Sequence, residues 1–185
     1  MPNHFSQSAA RLLLDGLDQS QLPFVTVRSD SMAPLLRRGD QIQLGPIGVD
    51  RLIIGNIVVL GEPEELLAHR LWGVEQLGED VFLLSRGDRL AYYDPLTPSS
   101  QLRAIVIARR RSGRLLRLDH GSGAWLNHRL TQLSHLDNRV MRLSPPTSTL
   151  EPGPVAHYGL SRRLVRRSLL VLAVLLTRLI NLLPE

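Results

Sequence analysis

Two serines one residue apart, Ser29 and Ser31, follow a short alternation of apolar and polar residues that runs from Phe24 to Arg28. On an extended chain, residues i and i+2 point to the same side. One hydroxyl can then attack a carbonyl. The other, with the backbone N–H of Ser31, can donate to the oxyanion that forms. A serine hydroxyl is a weak nucleophile until a base removes its proton. All 22 basic residues are arginine, so there is no lysine for that task. Arginine does not serve, because its guanidinium stays protonated at any working pH. Histidine is the natural base, with an ordinary pKa of about 6.5. Of the six histidines, His69 has the best setting, in the apolar run Leu66–Leu71, 38 residues after Ser31. The chain has no cysteine, which excludes thiol catalysis, disulfides and cysteine-based zinc sites.

The elements that must hold these groups are short. Residues 22–118 read as a β-rich domain, with strands over Phe24–Arg28, Gln41–Leu44, Ile57–Leu60, Leu66–Val74, Val81–Leu84, Ala104–Ala108 and Leu115–Leu118. Gly, Pro, Asp and Ser fill the gaps, as turns require. A chain of many short strands suggests a mainly β fold, a twisted sandwich or partial barrel. An amphipathic arm is expected over 1–21, with Ala10, Leu13, Leu14 and Leu17 at helical spacing. A packing helix is expected over 119–143, with Leu126, Leu130, Leu133 and Leu136 on its apolar face. A Pro-rich linker over 144–159 and a basic, leucine-rich tail helix over 160–185 complete the chain, so α-helices close a β domain.

The run Ser29-Asp30-Ser31-Met32-Ala33-Pro34, followed by Gly39-Asp40, resembles the nucleophile box of signal peptidase I-like serine peptidases, S-x-S-M-x-P and then G-D. Most bacterial members use a lysine base. Gly55-Asn56-Ile57-Val58-Val59 leading to His69-Arg70 is similar to the branch that includes the endoplasmic-reticulum and spore-former enzymes, where G-D-I-V-x-F precedes a His-Arg pair. Asn56 and Leu60 depart from that pattern. The stretch Ser85-Arg86-Gly87-Asp88-Arg89, then Asp94-Pro95, is similar to the family's later G-D-N box, with Arg89 in place of Asn. The resemblance covers roughly residues 24–110 and implies a signal-peptidase-like fold. It also implies a serine endopeptidase that cuts a leader or signal segment from a precursor peptide or protein, after small side chains. Ser31 is the implied nucleophile and His69 its base. Asp88 is the first candidate for the carboxylate supporting the base, and Asp94 the second. Ser29 and Ser31 are the oxyanion donors, and Met32 and Pro34 the substrate-binding residues. The alternative is a catalytically inactive binding module with the same fold.

Other classes have less support. His128 and His135 share a face of the expected helix, near His120, but no spacing typical of metal ligands occurs, and no metal or cofactor is expected. His4 and His157 fall in the chain's ends. No glycine-rich phosphate loop is present. Residues 1–100 hold 8 Arg against 13 acids and residues 101–185 hold 14 Arg against 4 acids, or −5 and +10. The basic half favours an anionic partner. Nucleic acid fits poorly, because no helix-turn-helix with a basic recognition helix is evident and aromatics are few. An acidic membrane surface fits the tail better. Sixteen helical residues reach only ~24 Å against a ~30 Å hydrocarbon core, so the tail is expected to lie on a membrane. Arg162, Arg163, Arg166 and Arg167 on the domain's side favour a cytoplasmic, membrane-associated protein.

Overall fold

The computed structural model describes residues 24–62, 65–155 and 159–182. The expected arm over 1–21 and the histidines at 4 and 157 lie outside them. Eight strands follow one another: β1 (Phe24–Thr26), β2 (Gln41–Gly45), β3 (Ile57–Glu62), β4 (Glu65–Leu77), β5 (Asp80–Arg86), β6 (Thr97–Pro98), β7 (Leu102–Arg111) and β8 (Arg114–Arg117). Two helices close the chain, α1 (Gly121–Met141) and α2 (Leu160–Leu182). The fold is mainly antiparallel β with two C-terminal helices, and the strands form one hydrogen-bonded sheet in the order β1-β2-β7-β3-β4-β5-β6. The ten-residue β7 is the hub. It pairs with β2, and also with β3 near its start and β8 near its end. A two-residue turn, Gly78-Glu79, joins β4 to β5, and Gly78 takes the positive φ of 66° that such turns demand.

Alternation along β3 and β4 decides what each face carries. Ile57 and Val59 point into the main apolar core with Leu66 and Ala68, against Leu126 and Leu130 of α1 and Ala173 and Ile180 of α2. Val58 and Leu60 point the other way, to a second cluster with Leu71 and Leu83. Both faces of β3 are therefore covered, which suits its unbroken apolar run. In register, Val58 pairs with His69 and Ile57 with Arg70. The histidine thus lies on the face away from the helices, and the arginine lies beneath them.

Two expectations about the helices change. Leu136 is 48% exposed, and the buried face of α1 continues instead through Ser134, Asp137, Asn138 and Met141. These polar residues are buried because buried cations and a tyrosine wait for them in the sheet, as described below. The Pro-rich segment bonds back to the domain through Gly153 N–H to Tyr93 O and Leu96 N–H to Ser148 O. The tail helix is docked on the domain along one face, where Arg166, Ala173, Thr177 and Ile180 are buried. No described helix is long and apolar enough to cross a membrane.

Candidate active site

The serine loop is built at the end of β1. Val27 N–H donates to Asp40 O, and Gly39 N–H donates to Val27 O, so the chain stays paired one residue past the strand. It then turns through Ser29–Leu36, where Ala33 N–H donates to Asp30 O and Leu36 N–H to Met32 O. The Ala33–Pro34 peptide is cis. Asp40 anchors the far side of the turn. Its carboxylate accepts from Arg37 N–H at 2.8 Å and from Arg111 Nε and Nη2 at 2.7 and 2.6 Å. Arg111 Nη2 and Arg109 Nη1 also donate to Leu35 O, at 3.0 and 3.1 Å. A loop with this many charge-assisted bonds holds its side chains in place.

Ser31 Oγ lies 3.1 Å from Ser29 Oγ and 2.9 Å from His69 Nε2. The two serines and the histidine are therefore brought together. The other ring nitrogen, His69 Nδ1, lies 2.7 Å from Asp94 Oδ2. A carboxylate there favours the tautomer with the proton on Nδ1, which leaves Nε2 free to accept from the serine hydroxyl. Ser85 Oγ donates to the same Asp94 oxygen at 2.6 Å, and Asp94 N–H donates to Ser85 O at 2.9 Å. His69 and Asp94 are 3% and 6% exposed and Ser85 is fully buried, whereas Ser31 is half-buried. A hydroxyl that faces a cleft, backed by a screened imidazole and carboxylate, is the arrangement general-base activation requires.

The carboxylate beside the base is thus Asp94, not Asp88. Asp88 is taken by Arg70, whose Nε and Nη2 donate to its two oxygens at 2.7 Å each. Arg70 is fully buried, and its Nη1 also reaches Gly55 O and Asn127 Oδ1. The adjacent pair His69-Arg70 splits across the sheet, so the carboxylate nearer to Arg70 in space belongs to the helix side. Of the two expected substrate-binding residues, Met32 borders the small cavity beside Ser31 and Pro34 does not. Met32 is 2% exposed, packs in the main core and is one of the residues that line that cavity. Pro34 is buried on the other side of the loop, against Leu170 of α2, and lines none of the cleft around Ser31.

Three residues of the Ser85–Arg89 stretch stand against the site, and the sequence reading gives them no individual role. Ser85 orients Asp94; its place on a strand just before Arg86-Gly87 was the available signal. Gly87 is the second. A Cβ there would stand 2.9 Å from His69 Nε2 and 3.0 Å from Ser31 O, so only glycine lets the 87–94 turn pass so close to the serine and histidine. Arg89 is the third, because its N–H donates to Ser31 O at 2.9 Å and ties that turn to the serine loop.

The cleft in front of Ser31 has a volume of about 650 Å³ and is walled by Leu60, Leu67, Leu90, Tyr92 and Gln101 as well as Ser29, Ser31, His69 and Asp94. A much smaller cavity adjoins it, lined by Val27, Met32, Leu36, Leu66 and Ala68 beside Ser29 and Ser31. A small apolar recess next to a nucleophile can take a side chain of a few carbons. The chain matches no family model, no curated protein and no solved structure. Among the described residues, no group of three His, Cys, Asp or Glu is placed to hold a metal ion.

The turn that carries Asp94 rests on a buried ionic layer. Arg86 Nη1 donates to Leu90 O at 2.7 Å and reaches Asp137 Oδ2 of α1 at 3.2 Å, while its Nη2 donates to Ser134 Oγ at 2.6 Å. Arg166 of α2 donates to Arg89 O and Leu90 O, at 2.7 and 3.0 Å, and its Nε stands 3.4 Å from Asp137 Oδ1. Burial pushes the Arg86 guanidinium below its ordinary value despite Asp137 and Asp88. Burial also raises the Tyr93 phenol, against the opposing pull of Arg86 and the hydrogen bond that Asn138 Nδ2 donates to it.

Proposed function

We propose that the protein is a serine endopeptidase of signal-peptidase type that removes a leader or signal segment from a precursor. The observation that carries the reading is the continuous line from Ser31 Oγ through the His69 ring to Asp94. In the proposed cycle, Ser31 Oγ attacks the scissile carbonyl as its proton passes to His69 Nε2. Asp94 stabilises the imidazolium. The Ser29 hydroxyl and the Ser31 backbone N–H donate to the developing oxyanion, a contribution of about 3 kcal/mol per donor in comparable sites. His69 then gives its proton to the leaving amine, and water attacks the acyl-enzyme by the same route in reverse.

The small recess beside Ser31 fits a small side chain before the cut, and the 650 Å³ cleft leaves room for an extended peptide. The signal-peptidase-like form of the fold is part of the same proposal, resting on the serine box, the His-Arg pair and the later G-D box. The test is a library of precursor-like peptides read by mass spectrometry. The wild type is expected to cut after small residues, and Ser31→Ala to cut nothing. Absence of cleavage by the wild type across the library, together with tight binding of the same peptides, would move the assignment to an inactive binding module.

A further inference from the structure

We infer that the outward face of α2, with the groove between α2 and the serine loop, docks on an anionic lipid surface. One face of α2 is buried, yet the opposite face is also apolar. Leu164, Val171, Leu175, Leu179 and Leu182 are 54–81% exposed, with Leu182 at 81% and Leu175 at 55%. At 1.5 Å per residue the stripe from 164 to 182 is ~27 Å long. A helix that needed only solvent on this side would carry polar residues there. The stripe is bordered by exposed Arg167 and Arg178, and Leu160–Leu182 contains no acidic residue.

The groove beside the stripe repeats the same chemistry. It has a volume of about 540 Å³, with Leu170, Val174 and Leu175 on its apolar wall. Arg37, Arg89 and Arg178 border it, and Asp30 is its one carboxylate. Among the described residues none of the three guanidiniums is in a salt bridge, and the Asp30 carboxylate accepts from Arg38 N–H. An apolar wall beneath unpaired cations suits an acyl chain below an anionic headgroup. A second copy of the chain suits it poorly. An isologous contact would set Arg167 and Arg178 against their own images, with no acid on the helix to pair them. Lipid docking of this kind does not depend on Ser31 being a nucleophile. It would hold the Ser29–Ser31 loop, which shares Asp30 with the groove, close to the bilayer.

The full chain should be floated with vesicles of phosphatidylcholine alone and with added phosphatidylglycerol. The wild type is expected to float with the anionic vesicles and to be released by salt. The pair Leu175→Glu with Leu179→Glu, both outward, should abolish flotation. Replacing Arg37, Arg89 and Arg178 by glutamine should weaken it about fivefold per residue on anionic vesicles only. Circular dichroism verifies that both variants are folded. Three outcomes overturn the inference: no flotation of the wild type, equal flotation on the two vesicle types, or a solution dimer that Leu175→Glu converts to monomer.

Discussion

At the scale of single residues, two aspartates that stand six apart in the sequence have separate duties, and their substitution should separate cleanly. Asp94 bonds the ring nitrogen that must carry the proton, so Asp94→Asn leaves the shape but favours the wrong tautomer. A loss of about 10⁴-fold in kcat is expected, with little change in thermal unfolding. Asp88 instead neutralises the fully buried Arg70. Asp88→Asn leaves that cation without its partner and should cost about 3–5 kcal/mol of stability, read by denaturant unfolding. If Asp88→Asn lost activity at full stability, the assignment of roles would be reversed. Gly87→Ala tests close packing. Its new methyl meets His69 Nε2 and a backbone carbonyl, so peptide cleavage should fall sharply while the far-UV dichroism stays that of the wild type.

At the scale of elements, the strands were legible and their partners were not. Each of the seven expected strands is present because alternating or continuous apolar residues bracketed by Gly, Pro and Asp leave few other options. The two-residue β6 was missed because Thr97-Pro98 carries no periodicity and only completes the edge beside β5. Asp94 was ranked below Asp88 because chain distance does not show that the 87–94 turn folds back to bond Ser85. The polar positions of α1 looked like a solvent face. They are buried because Arg86 and Tyr93 offer them partners from the sheet. The contact with Tyr93 has a consequence at alkaline pH. Burial raises the folded-state phenol above its ordinary 10, so the folded protein holds that proton longer than the unfolded chain. The stability it contributes is present below pH 10 and is lost as pH rises through the folded value. The difference in unfolding free energy between the wild type and Tyr93→Phe should therefore shift against the wild type as pH is raised above about 10. A difference independent of pH would contradict the raised value.

At the scale of the whole molecule, α2 is a part of the domain rather than an appendage. Ala173 and Ile180 fill the main core, and its last turn is held by Arg109 to Asn181 Oδ1 at 2.5 Å and by Arg114 to Asn181 O. Cations at a helix C-terminus also meet its partial negative charge favourably. Arg109 bears the cost, since burial and the nearby Arg111 pull its guanidinium down to about 10. Arg166 joins the same helix to the turn that carries Asp94. A chain ending at residue 159 should consequently unfold at a much lower denaturant concentration than the full chain and lose cleavage with it. Unchanged stability would mean that the tail is dispensable to the fold. The leucine-rich, basic composition of the tail was plain from the start. That it is apolar on two opposite faces, one for the core and one turned outward, required the helix to be seen in place.

The most direct measurement of the central claim is the rate at which His69→Ala cleaves the best peptide found for the wild type. With His69 as the base, His69→Ala is slower than the wild type by about 10²–10⁴-fold. Wild-type rates from His69→Ala would contradict the account.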